Sequence, residues 1–176
     1  SDDFDIDNYF AASKFFNQYK GEWFGVPGEG PEFTSRHYNV EHFEEVGLDP
    51  DYKLVQQWTS DEWIEAALKL TKRDGDKVVR AGLNIDNLTE ESLAAMSYAN
   101  GVDNFYLNEG KELTPELRER GAEVLKWNYD ALHVHKVSKP ITPDRTARPD
   151  FYRGDASMIY MGSGDIGEIT KQGLKT

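Results

Sequence analysis

Gly162-Ser163-Gly164-Asp165-Ile166-Gly167 is the stretch of this sequence with the most chemistry in it. It follows an apolar run from Ala156 to Met161 that reads as a strand, and it opens a polar helix from Asp165. Glycines at such a turn let a ligand approach the backbone, and the unpaired amides of a helix start can donate to an oxygen-rich group. The spacing also fits the dinucleotide pattern G-x-G-x-x-G. That pattern calls for a second strand ending in an acidic residue about 20 residues on, which this sequence does not supply, so a tight turn or a backbone-mediated ligand contact is the expectation. His133-Val134-His135 would put two imidazoles on one side of a strand, the start of a zinc site, but no third ligand has a fitting spacing. Asp3, Asp5 and Asp7 begin like a calcium loop, yet Asn8 stands where glycine is required and Lys14 where the bidentate Glu belongs. The acidic terminus reads as solvated. No metal and no cofactor are expected. With 32 Asp and Glu, some carboxylate pair will lie at glycosidase separation by chance, so no acid/base pair stands out. No serine has glycines two positions to either side, and there is no cysteine.

The elements that must position these residues come from a chain of 176 residues, long enough to bury a core without disulfides. Its net charge of −12 disfavours a polyanionic partner such as nucleic acid. No apolar run reaches the roughly 18 residues of a membrane span. Tyr9, Phe10, Phe15 and Phe16 fit a short amphipathic helix ending near Tyr19-Lys20-Gly21, and Trp23 to Val26 reads as a buried strand stopped by Pro27. Phe33 to Tyr38 is extended, and Val40, Phe43 and Val46 form a short helix stopped by Gly47. Thr59-Ser60-Asp61-Glu62 is a capping box for a helix carrying Trp63, Ala67 and Leu70, with Lys72-Arg73 complementing its negative end before Asp74-Gly75-Asp76. Lys77 to Leu83 reads as a strand, Thr89 caps a helix ending at Asn100-Gly101, and Thr114-Pro115 starts another. Helices alternating with fewer strands give an α/β class. Most of the four Trp, nine Tyr and nine Phe must fill the core, although Trp58 or Tyr98 could stack on a sugar ring.

Several segments, in order, resemble extracellular solute-binding proteins of family 1, the maltose-binding-protein-like group that serves ABC importers. Lys20-Gly21-Glu22-Trp23-Phe24-Gly25-Val26-Pro27 is similar to the family's G-k-x-y-G-v-P. His37-Tyr38-Asn39-Val40 through Phe43-Glu44-Glu45-Val46-Gly47-Leu48 resembles Y-N-k-x-l-F-e-e-a-G-l. Trp58-Thr59-Ser60-Asp61-Glu62-Trp63 with Ala66-Ala67-Leu68-Lys69-Leu70-Thr71 resembles T-W-d-E-f-x-x-a-A-k-k-L-T. Phe151-Tyr152-Arg153-Gly154-Asp155-Ala156-Ser157-Met158 with Gly162-Ser163 resembles F-x-x-G-k-a-A-M-x-x-x-G-s. The resemblance implies a periplasmic-binding-protein-like (type II) lobe, helix-rich with a small mixed sheet. It further implies that residues 1–176 form a single, C-terminal-lobe-like part of a two-lobed protein closing on its ligand by a hinge. Implied partners are a carbohydrate or polyol, an ABC permease in the membrane and an N-terminal lobe of the same protein, in the periplasm or outside the cell. Cleft residues implied by position are Gly162, Ser163, Gly164 and Asp165, with Asn84, Asp86 and Asn87 after the second strand, and Glu29, Glu32 and Arg36 near the hinge. Gly164 stands where the family commonly has a sugar-stacking aromatic, which favours bonding by backbone amides and Ser163. A carbohydrate-active hydrolase and a protein-interaction domain without small ligand are the alternatives.

Overall fold

The computed structural model describes residues 5–26, 28, 34–85, 96–99, 101–102, 106–107, 112–140 and 147–176. In chain order its elements are α1 (Ala11–Phe16), β1 (Gln18–Tyr19), β2 (Glu22–Trp23), β3 (Thr34–Tyr38), α2 (Val40–Glu45), α3 (Tyr52–Val55), α4 (Ser60–Leu70), β4 (Lys72–Asp74) and β5 (Lys77–Arg80). There follow β6 (Tyr106–Leu107), β7 (Glu112–Leu113), α5 (Pro115–Tyr129), a π turn (Asp130–Val134), α6 (Ala147–Tyr152), β8 (Met158–Gly162), a 3-10 turn (Ser163–Asp165) and α7 (Ile166–Lys171).

The apolar run ending at Met161 is the strand on which the body is organised. β8 pairs antiparallel with β3, Thr34 opposite Gly162 and Tyr38 opposite Met158. On the other side the chain bridges in parallel to the 81–84 segment, Ala81 to Ala156 and Asn84 to Ile159. The Leu83 N–H donates to the Val137 carbonyl at 3.2 Å. The result is a small mixed sheet in the order β3, β8, 81–84, with Val137 hydrogen-bonded at its outer edge. Alternate residues of a strand face opposite sides, and both sides are covered. Met158 joins Phe43, Val55, Leu70, Leu83 and Val137 in one core beneath α2, α3 and α4. Ile159 and Met161 join Ala81, Phe151 and Ile169 in a second core beneath α6 and α7. The α4 backbone lies so close to the sheet that a Cβ on Gly82 would sit 1.9 Å from the Ala67 carbonyl oxygen, which explains glycine there.

The predicted caps form. The Glu62 N–H donates to Thr59 Oγ1 while the Thr59 N–H donates to the Glu62 carboxylate at 2.7 Å, and the Leu117 N–H donates to Thr114 Oγ1 ahead of Pro115. Other expectations are corrected. Lys72 and Arg73 lie on β4 rather than in the last turn of α4: the Lys72 ammonium bonds Glu45, and Arg73 donates to the carbonyls of His135 and Lys136. The stretch around Trp23 is not a buried strand. Lys20 and Gly21 take positive φ, 53° and 83°, turning the chain into a two-residue-per-strand hairpin, and Trp23, Phe24 and Val26 are exposed. His133-Val134-His135 belongs to the π turn and its cap, so its imidazoles do not share one side of a strand. The Thr89 cap lies outside the described residues.

Candidate functional site

Three chain segments reach the same end of the mixed sheet. β8 arrives there at its carboxyl end, Gly162, and β3 starts there at Thr34. The parallel 81–85 segment also points its carboxyl end that way. Ligands of α/β sheets settle outside such strand ends. The sequence-predicted residues Asn84, Gly162, Ser163, Gly164, Asp165 and Arg36 therefore belong to one region of the fold. Glu29, Glu32, Asp86 and Asn87 lie outside the described residues.

Their surroundings separate them by role. Asn84 is buried, its N–H donates to the Met158 carbonyl at 2.7 Å, and its Oδ1 lies 3.3 Å from the Ser138 hydroxyl, so it holds the sheet end together. Asp165 is largely buried, accepting from the Tyr152 hydroxyl at 2.5 Å and pairing with Arg148 at 3.5 Å. Burial, reinforced by that bond to Asp165, pushes the Tyr152 phenol up to about 12. Asp165 thus anchors the glycine turn onto α6. Burial holds the His37 imidazole below its ordinary value, against the opposing pull of Asp165. Ser163 is half-buried and Gly164 exposed, on the 3-10 turn that leaves β8. Solvent reaches both.

Arg36 has a setting that spacing along the chain does not reveal. Its guanidinium lies between two indoles, 4.6 Å from the Trp63 ring centroid and 5.2 Å from that of Trp127. Trp127 in turn donates its indole N–H to the Ser60 carbonyl at 3.3 Å, which ties α5 to the start of α4. Burial, only partly opposed by Tyr160, lowers the Arg36 pKa to about 10. Tyr160 stands opposite Arg36 on β8, and its hydroxyl donates to Thr34 Oγ1 at 2.9 Å. Thr34, Tyr160, Trp63 and Trp127 were not singled out for the site by sequence. The nearest signal is that Thr34, Arg36 and Tyr38 alternate, which puts all three on one face of β3.

Trp58, considered as a sugar platform, is instead packed between Phe43 (5.7 Å) and Trp63 (5.1 Å), whereas Tyr98 is exposed. Among the described residues, no group of three or more His, Asp or Glu side chains is arranged to hold a metal, and no helix is long and apolar enough to cross a membrane.

Helices on both faces of a small mixed sheet, with a glycine turn at the carboxyl end of its central strand, make a periplasmic-binding-protein-like α/β lobe. Solved structures share this fold. An ABC substrate-binding protein from Listeria monocytogenes, in complex with cycloalternan, matches 98% of this chain and 42% of its own, with a TM-score of 0.69 and 18% identity. UgpB from Mycobacterium tuberculosis, in complex with glycerophosphocholine, matches 96% of this chain and 41% of its own, with a TM-score of 0.70 and 16% identity. The maltotriose binding protein of Thermus thermophilus, bound with maltotriose, matches 97% and 42%, with a TM-score of 0.61 and 20% identity. This chain therefore spans less than half the length of each of these proteins. No protein-family model and no curated protein matches it by sequence.

Proposed function

We propose that this chain is a ligand-binding lobe of an ABC-transporter solute-binding protein, belonging to the maltose-binding-protein-like family 1 and taking a carbohydrate or polyol. The observation that carries this reading is the fold match over nearly the whole chain to binding proteins with bound saccharides, among them the cycloalternan and maltotriose complexes. It acts by binding and release, without catalysis, in the periplasm or at the outer cell surface, and delivers its solute to a membrane permease. Residues 1–176 form one C-terminal-lobe-like unit, and the N-terminal lobe of the same protein supplies the other wall of the cleft. The exposed apolar side chains between Phe10 and Val26 give that partner lobe a surface to pack on. On this side of the cleft the ligand meets Gly162, Ser163 and Gly164, together with Glu32, Asp86 and Asn87, and Arg36 at the sheet end. Asn84 and Asp165 stand behind them and hold the walls in place.

Calorimetry of the two-lobed protein against a saccharide panel tests this. Heat with at least one sugar is expected, with no product after prolonged incubation of an oligosaccharide. Ser163→Ala and Asp86→Ala should each weaken binding by about 1 kcal/mol or more where their hydrogen bonds are buried. Heat with peptides but with no saccharide would remove the substrate class, and oligosaccharide cleavage would bring back the hydrolase reading.

A further inference from the structure

Arg36 is a cation whose protein surroundings do not account for its charge. Acidic residues outnumber basic ones, 32 to 20, and other cations of the body take carboxylates: Lys72 and Arg80 share Glu45, Arg148 takes Asp165, and Arg153 takes Asp150. Arg36 is instead held between Trp63 and Trp127, and among the described residues no carboxylate pairs with it. Two neighbouring indoles offset part of the cost of burying a cation. The guanidinium carries five N–H donors in a planar fork, and among the described residues none of them is taken by a carboxylate. The hydroxyls of Thr34 and Tyr160 belong to the same strand pair and the same face, and Thr34 stands opposite Gly162 where the glycine turn begins. A planar fork fixed in orientation and partly stripped of water bonds an oxyanion more strongly than a neutral hydroxyl, because both partners of the bond are charged.

We propose that Arg36 anchors an oxyanion carried by the ligand, so that the solute is a saccharide or polyol bearing a carboxylate or phosphate. The Thr34 and Tyr160 hydroxyls complete the anchor, and the two indoles flank it. This inference rests on the solute-binding function proposed above and narrows its substrate class.

The test is calorimetry and tryptophan fluorescence of the two-lobed protein at fixed ionic strength, with two probe pairs: digalacturonate against maltose, and glucose 6-phosphate against glucose. One acidic probe should bind at least about tenfold tighter than its neutral counterpart, and the pair that shows the preference separates a carboxylate from a phosphate solute. Arg36→Gln should abolish the preference, and Arg36→Lys should lose most of it by removing the fork while keeping the charge, so the second variant still decides the matter if the first does not fold. Neutral probes binding as tightly as acidic ones, or a preference that stays undiminished in either folded variant, overturns the inference. No heat from either acidic probe, while the wider neutral panel still binds, overturns it and leaves solute binding standing. Absence of heat across the whole panel overturns both.

Discussion

The N-terminal segment and the body of this protein use the same residue types in opposite ways. In the body, Tyr38, Phe43, Trp58 and Trp63 touch in series, ring on ring, and Phe43 is completely buried among them. Between residues 10 and 26, Phe15 meets Phe16 and Tyr19 meets Phe24 edge-on, yet exposure runs from 46% at Trp23 to 83% at Phe16. Aromatic content does not decide which way a segment goes. A second layer does. The body's rings lie between a sheet and the helices above it, whereas β1 and β2 form a hairpin of two residues a side, too small to build a core of its own. Apolar side chains spent on the outside mark a surface meant to be covered.

Phe43→Ala strikes the buried side of this contrast hardest. Emptying a fully buried aromatic site between Tyr38 and Trp58 should cost about 3–5 kcal/mol, read as a lower midpoint in denaturant; a loss below about 1 kcal/mol would mean that the stacked series adds little. A milder effect, confined to acid, is expected at the polar base of the body. Glu45 accepts from Lys72 and, at 2.6 Å, from Arg80, and these bonds hold its carboxyl at about 2 against an ordinary 4.5. The unfolded chain therefore takes up this proton first, so the contribution is complete above pH 4.5 and drains away as the pH falls toward 2. Wild type should lose stability faster than Glu45→Gln across that window; parallel pH profiles would show the pairs to be idle. Smallest of all, Phe16→Ser should leave the stability of this chain within about 0.5 kcal/mol while weakening its association with the proposed partner lobe. A large loss in the isolated chain would erase the distinction between the two regions.

What was legible in the sequence was local. The Thr59 capping box, the Thr114-Pro115 start, the Gly47 stop and the apolar strand at Met158–Met161 each rest on neighbours within a few residues, and each is in place. Features decided by distant partners were not. Trp23 looks like a buried strand residue until the Lys20-Gly21 turn leaves it with nothing above it. The His133 and His135 spacing carries no sign that α5 closes in a π turn. In the site, the glycine turn was visible because strand, glycines and helix are consecutive, and Arg36 entered by resemblance alone. Its two indoles come from α4 and α5, far along the chain, and no periodicity links them to β3.

The pairing of β3 with β8 sets a timetable for the chain. Thr34 must wait for Gly162, a loop on the order of 130 residues, whose closure entropy grows only slowly with length but whose non-local contacts slow folding. During synthesis the capped helices α4 and α5 emerge first and can form turns on their own, while the sheet beneath them has no central strand until Met158–Gly162 has followed. Until then the faces of α4 that will meet Met158 stay open to water. A chaperone that shields apolar helices would find its substrate in that interval, and a cut or early stop just before Ala156 would remove the strand that joins both cores.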